Sequence, residues 1–116
     1  MKQAGQIVLT PFPYTDLSAA KLRPVLMLRS ASARYNDWLV CMVSSQIEQC
    51  EEDLDEIIHP EDGDFAAAGL KAASIFRLSR LAVLDEKLMV GSIGSIGDER
   101  LGRIRKRLSA WIANSV

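Results

Sequence analysis

Gly5 to Leu28, GQIVLTPFPYTDLSAAKLRPVLML, is the stretch from which the architecture is read. It holds two short apolar runs, Gln6 to Leu9 and Pro24 to Leu28, joined by a polar loop from Tyr14 to Arg23. Thr10-Pro11-Phe12-Pro13 limits the first run as a strand, because neither proline can donate to a ladder. The second run is apolar without alternation and reads as a strand buried on both faces. Arg23 immediately precedes Pro24, which fixes its own φ and pushes the preceding residue toward extended geometry. An arginine so restrained, at the mouth of a small sheet, is a good anion clamp, since its donor fork matches phosphate oxygens.

Outward from this pair, Ser30 to Asn36 is a small polar connector and Trp38 to Ser44 a third strand. That strand sets Val40, Met42 and Ser44 on one face against Leu39, Cys41 and Val43 on the other. An acidic stretch, Glu48 to Glu56, leads into a short edge strand at Ile57-Ile58-His59 and a turn cluster from His59 to Asp64. Ala66 to Gly69 fits one helical turn with Gly69 as C-cap. Ser74 to Leu78 and Leu81 to Leu84 read as strands, Asp85-Glu86-Lys87 as a turn, and Leu88 to Ile93 as a last strand closed by Gly94. Asp98 to Ala113 is the clearest helix. Leu101, Ile104, Leu108, Trp111 and Ile112 form one apolar stripe, and Ser95 or Asp98 serves as cap. Five or six short strands and one terminal helix predict a mainly β (α+β) fold, a small, partly open SH3-like β-barrel with a C-terminal helix.

The 116 residues make one domain, 1–116, with no repeat, low-complexity tract or linker. At 48% hydrophobic and 25% charged the composition is globular, and a net charge of −1 excludes a uniformly basic nucleic-acid binder. The charge is segregated, however: Glu48 to Glu56 contains no base and Arg100 to Arg107 no acid. The helix face bearing Arg100, Arg103, Lys106 and Arg107 reads as solvated, able to add attraction for a polyanion without reading a sequence. No apolar run is long enough to span a membrane, and no apolar region follows Met1-Lys2-Gln3, so a cytoplasmic, membrane-free location is expected. Cys41 and Cys50 are isolated, and Cys41 reads as a core residue.

Arg23 is the first candidate for chemistry: either a surface arginine pairing with Asp16, or an electrophile holding a phosphate as charge develops. Ser44-Ser45-Gln46 follows an apolar strand directly, as a simple turn or as a site for the Ser44 hydroxyl on the same phosphate. The second reading needs strands two and three adjacent, which chain order favours. Asp16 is a candidate base or, the preferred reading, a brace of its own turn. His59 precedes Pro60 beside the acidic stretch and reads as structural. No residue spacing resembles a metal site and no glycine-rich phosphate loop is present, so no metal and no cofactor are expected.

The pieces Gly5-Gln6-Ile7-Val8, Pro11-Phe12-Pro13, Lys21-Leu22-Arg23-Pro24, Val43-Ser44-Ser45-Gln46, Gly69-Leu70, Ser74-Ile75-Phe76-Arg77 and Ile93-Gly94, in this order, resemble the MazF/PemK-like toxins of bacterial type II toxin–antitoxin modules. The likeness covers nearly the whole chain. It implies an SH3-like barrel, a homodimer, and metal-independent cleavage of single-stranded RNA by an endoribonuclease of the mRNA-interferase type. It also implies a cognate antitoxin whose disordered tail occupies the RNA groove, with DNA met only indirectly through that antitoxin. The family's catalytic arginine falls on Arg23 and its catalytic threonine on Ser44, with Asp16, Lys21, Ser45, Gln46 and Arg77 as RNA-binding candidates. Serine keeps the hydroxyl but lacks the methyl that restricts χ1. Leu17 to Leu22 holds no carboxylate, so the resemblance names no general base. Two rival readings use the same fold: a non-enzymatic inhibitor of a protein target such as DNA gyrase, and a decayed member that only binds antitoxin and regulates its operon.

Overall fold

The computed structural model describes residues 2–11 and 21–114. Among them six strands form one antiparallel sheet: β1 (Gln6–Pro11), β2 (Leu22–Ser30), β3 (Asp37–Ser44), β4 (Glu56–Ile58), β5 (Ser74–Asp85) and β6 (Gly91–Ser95). The spatial order is β4-β5-β3-β2-β1-β6. Two helices complete the fold, a single turn α1 (Phe65–Ala68) and the long α2 (Asp98–Ala113). The sheet curls around α2 as a small, partly open SH3-like barrel, and the expected architecture is the observed one.

Both faces of the central strands are buried. Ile7, Leu26, Leu28, Cys41, Val43, Phe76 and Leu78 pack with Leu101, Ile104 and Leu108 of α2. Val8, Val25, Met27, Val40, Leu84 and Met89 form a smaller cluster on the opposite face. The unbroken apolar run of β2 therefore reflects a strand with no solvent face. Burial also pushes the Cys41 thiol well above its ordinary pKa, as suits an inert core residue.

Several elements differ from the sequence reading. The β1 ladder runs on to Pro11, paired with Leu22, so β2 begins earlier and Arg23 is a strand residue opposite Thr10 rather than part of the loop. The prolines are tolerated because an antiparallel strand bonds each neighbour only at alternate residues. The runs at 74–78 and 81–84 are one strand, β5, broken in appearance by a bulge. Cys41 pairs with Leu81 and Met42 with Arg77, leaving Leu78, Ser79 and Arg80 unmatched. The last strand starts at Gly91, because Glu86–Leu88 forms a 3₁₀ turn in which Asp85 accepts the Lys87 N–H. The edge strand β4 is Glu56–Ile58 and excludes His59.

The N-cap of α2 is Gly97, not Ser95 or Asp98. Gly97 supplies no cap side chain, but its own N–H, one of the unpaired donors at the helix start, is accepted by Asp64 Oδ2 at 3.0 Å. Nor is the basic face of α2 solvated throughout. Arg100 is buried and donates to Glu56 (2.8 Å), Asp62 (2.9 Å) and Asp64 (2.8 and 3.1 Å). Arg103 donates twice to Glu56 at 2.9 Å, and Arg107 approaches it at 3.5 Å. Helical periodicity placed these cations on one face, but it could not show that β4 and the 62–64 turn lie against that face. Lys106 is exposed as expected, and among the described residues it makes no ion pair with a carboxylate.

The single turn α1 packs against β6 backbone to backbone. A Cβ on Gly94 would collide with the Ala67 and Ala68 carbonyls, and one on Gly69 with the Ile93 carbonyl. Gly69 also has φ +73° and donates its N–H to Ala66 O, the predicted helix C-cap. This contact ties the β6 edge back toward the β4–β5 side and helps close the barrel. Among the described residues no helix is long and apolar enough to cross a membrane.

Candidate active site

Strands β2 and β3 pair Val25 with Met42, Leu26 with Cys41 and Met27 with Val40. The same register carried two residues on sets Arg23 opposite Ser44. Both then project on the face that Val25 and Met42 share. The two residues line one cleft of about 520 Å³, together with Ser45, Gln46, Gln49 and Lys71. Arg23 is exposed there and Ser44 half-buried. A larger groove of about 600 Å³ lies at the other end of β2 and β3, walled by Trp38, Leu39, Leu108 and Ile112. It is more apolar, and although Arg29, Arg105, Ser30 and Ser109 also line it, Arg105 donates to Leu28 O and Arg29 to Ser30 O and no side-chain amide joins them, so the smaller cleft, with its hydroxyls, amides and cations together, is the stronger candidate for chemistry.

The Ser44 hydroxyl is oriented by its own turn. Its Oγ accepts the Gln46 N–H at 3.1 Å, which occupies one lone pair and leaves the hydroxyl proton to donate outward. Ser45 O accepts the Ile47 N–H and Gln46 O the Gln49 N–H, winding the chain into a 3₁₀ turn at Ile47–Gln49. The acidic stretch then turns inward. Asp55 is buried, and its carboxylate accepts the Glu51 N–H (3.0 Å) and the N–H and Oγ–H of Ser79 in the β5 bulge (3.3 and 3.4 Å).

The sequence candidates thus fall into four groups. Arg23, Ser44, Ser45 and Gln46 meet in the cleft. Lys21 is exposed just before β2. Asp16 lies outside the described residues. Arg77 is buried beneath the cleft, with Nη1 donating to Gln49 Oε1 at 2.9 Å and Nε 3.8 Å from Asp55 Oδ2. Among the described residues that Nε has no hydrogen-bond partner. His59 is exposed and does not line the cleft, and its backbone N–H is accepted by Asp62 Oδ2 at 2.9 Å. Sequence reasoning missed Gln49 and Lys71. Gln49 sits within an acidic run and Lys71 just after a helix cap, and neither position carries a local mark of a site. Among the described residues no group of three or more His, Cys, Asp or Glu side chains is placed to hold a metal ion.

Residues 3–112 match the family model described as PemK-like, MazF-like toxin of type II toxin–antitoxin system. The chain belongs to this family. Among solved structures it is similar in fold to an endoribonuclease from a Mycobacterial species, determined in complex with its cognate antitoxin. The TM-score is 0.69 at 12% identity, covering 100% of this chain and 99% of that one. It is likewise similar to the Mycobacterium tuberculosis toxin MazF-mt6, with TM-score 0.68, 13% identity, and 96% and 99% of the two chains covered. At these identities the solved structures establish a shared fold, and the family model carries the membership. No curated protein matches the sequence significantly. In this PemK/MazF-family chain, Arg23 and Ser44 both line the cleft.

Proposed function

We propose that this chain is the toxin of a type II toxin–antitoxin module, a metal-independent endoribonuclease that cleaves single-stranded RNA in the cytoplasm. The observation that carries the reading is the β2–β3 register, which brings Arg23 and Ser44 to one cleft behind an oriented hydroxyl. The nucleophile is the RNA's own 2′-hydroxyl. It gives its proton to a base and attacks the adjacent phosphorus. The 5′-oxygen then leaves with a proton, yielding 2′,3′-cyclic phosphate and 5′-hydroxyl ends. Arg23 neutralises the charge gathering on the pentacoordinate phosphorane, and Ser44 donates its Oγ–H to a nonbridging oxygen. A nucleophile carried by the substrate needs no metal-activated water. Ser45, Gln46 and Lys21 hold the RNA strand beside these two. The protein works as a homodimer. Its partner is an antitoxin, as in the Mycobacterial neighbour, and any contact with DNA runs through that antitoxin.

The test is digestion of a single-stranded RNA oligonucleotide by the purified chain, with EDTA or with Mg²⁺, and mass analysis of the product ends. Equal cleavage in both, with cyclic phosphate ends, is expected. Cleavage lost in EDTA and restored by Mg²⁺, or 5′-phosphate ends, would overturn the chemistry. Absence of any cleavage would favour an inhibitor of a protein target.

A further inference from the structure

Gln49 lines the cleft from the 3₁₀ turn after β3, and its amide is not free to choose its orientation. Arg77 rises from β5 with its side chain 11% exposed and donates Nη1–H to Gln49 Oε1 at 2.9 Å. A guanidinium has donors and no acceptor, so it selects one amide orientation, oxygen toward Arg77 and Nε2 away from it. Behind Arg77 stands Asp55, its side chain 0% exposed, 3.8 Å from Arg77 Nε. Asp55 is in turn pinned by backbone N–H groups of Glu51 and Ser79 from two different segments. The series Asp55, Arg77, Gln49 therefore runs from the core to the cleft wall and ends in two N–H donors.

We propose that Gln49 is a specificity-determining residue that reads one base of the RNA through its Nε2 donors, with Arg77 and Asp55 as positioning residues. The inference rests on the endoribonuclease reading. Directed at the 6-position of a purine or the 4-position of a pyrimidine, an amide held donor-outward pairs with the keto oxygen of guanine or uracil and meets the amino group of adenine or cytosine donor against donor. An amide free to flip would accept as well as donate and lose that choice.

The experiment is cleavage of a randomised single-stranded RNA pool, with the cut sites sequenced, by the wild type and by Gln49→Ala, Gln49→Glu, Arg77→Met and Arg77→Lys. Each protein is first checked for a cooperative thermal melt. The wild type should favour G and U over A and C at one position near the cut, roughly tenfold or more. Gln49→Ala and Arg77→Met should lose that preference, Gln49→Glu should shift it toward A and C, and Arg77→Lys, which keeps a donor, should recover part of it. The readout is a ratio between sites, so a change in overall rate does not imitate it. A wild-type profile in Gln49→Ala overturns the role of Gln49, and one in Arg77→Met overturns the positioning. If Arg77→Met does not fold, the two Gln49 variants decide. A wild type that cuts without keto preference overturns this inference alone, whereas one that cuts no RNA removes the endoribonuclease reading and this inference with it.

Discussion

Ser44 shows how one residue's neighbours adjust its chemistry. The methyl that would restrict a threonine is absent, but the Gln46 N–H holds the serine oxygen from the other side. Ser44→Thr is therefore expected to keep RNA cleavage at or above the wild-type rate, because it adds a χ1 restraint to an oxygen already placed. Ser44→Ala should cut more slowly and also melt lower, by about 1 kcal/mol, because the Gln46 N–H loses its acceptor. A rate assay on one oligonucleotide beside a urea titration separates the two effects. Arg23 is exposed, so Arg23→Ala should fold normally while cleavage falls by roughly 10²–10³-fold, the usual loss for one transition-state donor. Arg23→Lys should restore only part, since an ammonium cannot reproduce the fork. Full activity in a well-folded Arg23→Ala protein would end the proposed mechanism.

At the scale of elements, α2 is fastened to the sheet by its arginines as much as by its apolar stripe. Removing a buried ion-pair partner costs about 3–5 kcal/mol when the remaining charge is stranded. Arg100→Ala should fall at or below the low end, about 2–3 kcal/mol, because Arg103 and Arg107 still hold Glu56 and Asp64 is partly solvated. The same contacts make stability acid-sensitive. The Arg100 hydrogen bond holds the Asp64 carboxyl below the usual range, and the His59 backbone N–H, then Arg100, do so for Asp62. A carboxylate whose pKa is lower in the folded state contributes stability that is complete above the unfolded value. That contribution is lost as pH falls through the folded value. Melting temperature should therefore drop as pH falls from about 5 to below the usual carboxylate range, and the Arg100→Ala protein should show a shallower drop. Gly94→Ala tests the α1–β6 contact. With the Ala67 and Ala68 carbonyls in the way of any Cβ, the barrel must open locally, at a cost of about 3 kcal/mol in a denaturant titration. An unchanged midpoint would show that the two elements separate freely.

For the whole molecule, the apolar stripe of α2 does not end where the core ends. Leu101, Ile104 and Leu108 are buried, yet Trp111 is 50% and Ile112 58% exposed. Large apolar side chains left uncovered at the end of such a stripe suit an interface, and a two-fold pairing is the commonest way to cover them. Under the proposed homodimer, light scattering at micromolar concentration should give twice the chain mass. A Trp111→Glu, Ile112→Glu double variant should fall to a single chain while remaining folded, because neither side chain supports the monomer core. A wild type that scatters as one chain would count against the dimer.

The sequence by itself determined the mainly β class, the course of the central strands, the long helix and the nearness of Arg23 to Ser44. Strand two lacks alternation because both its faces are buried, and helix periodicity is a property of contiguous residues. That Arg23 and Ser44 share one cleft was legible because consecutive strands tend to be neighbours, so adjacency in the chain stood in for adjacency in space. What only the tertiary structure decided are the contacts between residues far apart in sequence. Arg100 reads as a solvated cation until β4 and the 62–64 turn are laid against it. Arg77 carries no local mark of burial, and only the β5 bulge sets Asp55 behind it and Gln49 before it. Side-chain periodicity fixes which face of an element a residue occupies, but the charge or amide on the facing element, and so the work that residue does, is set by packing.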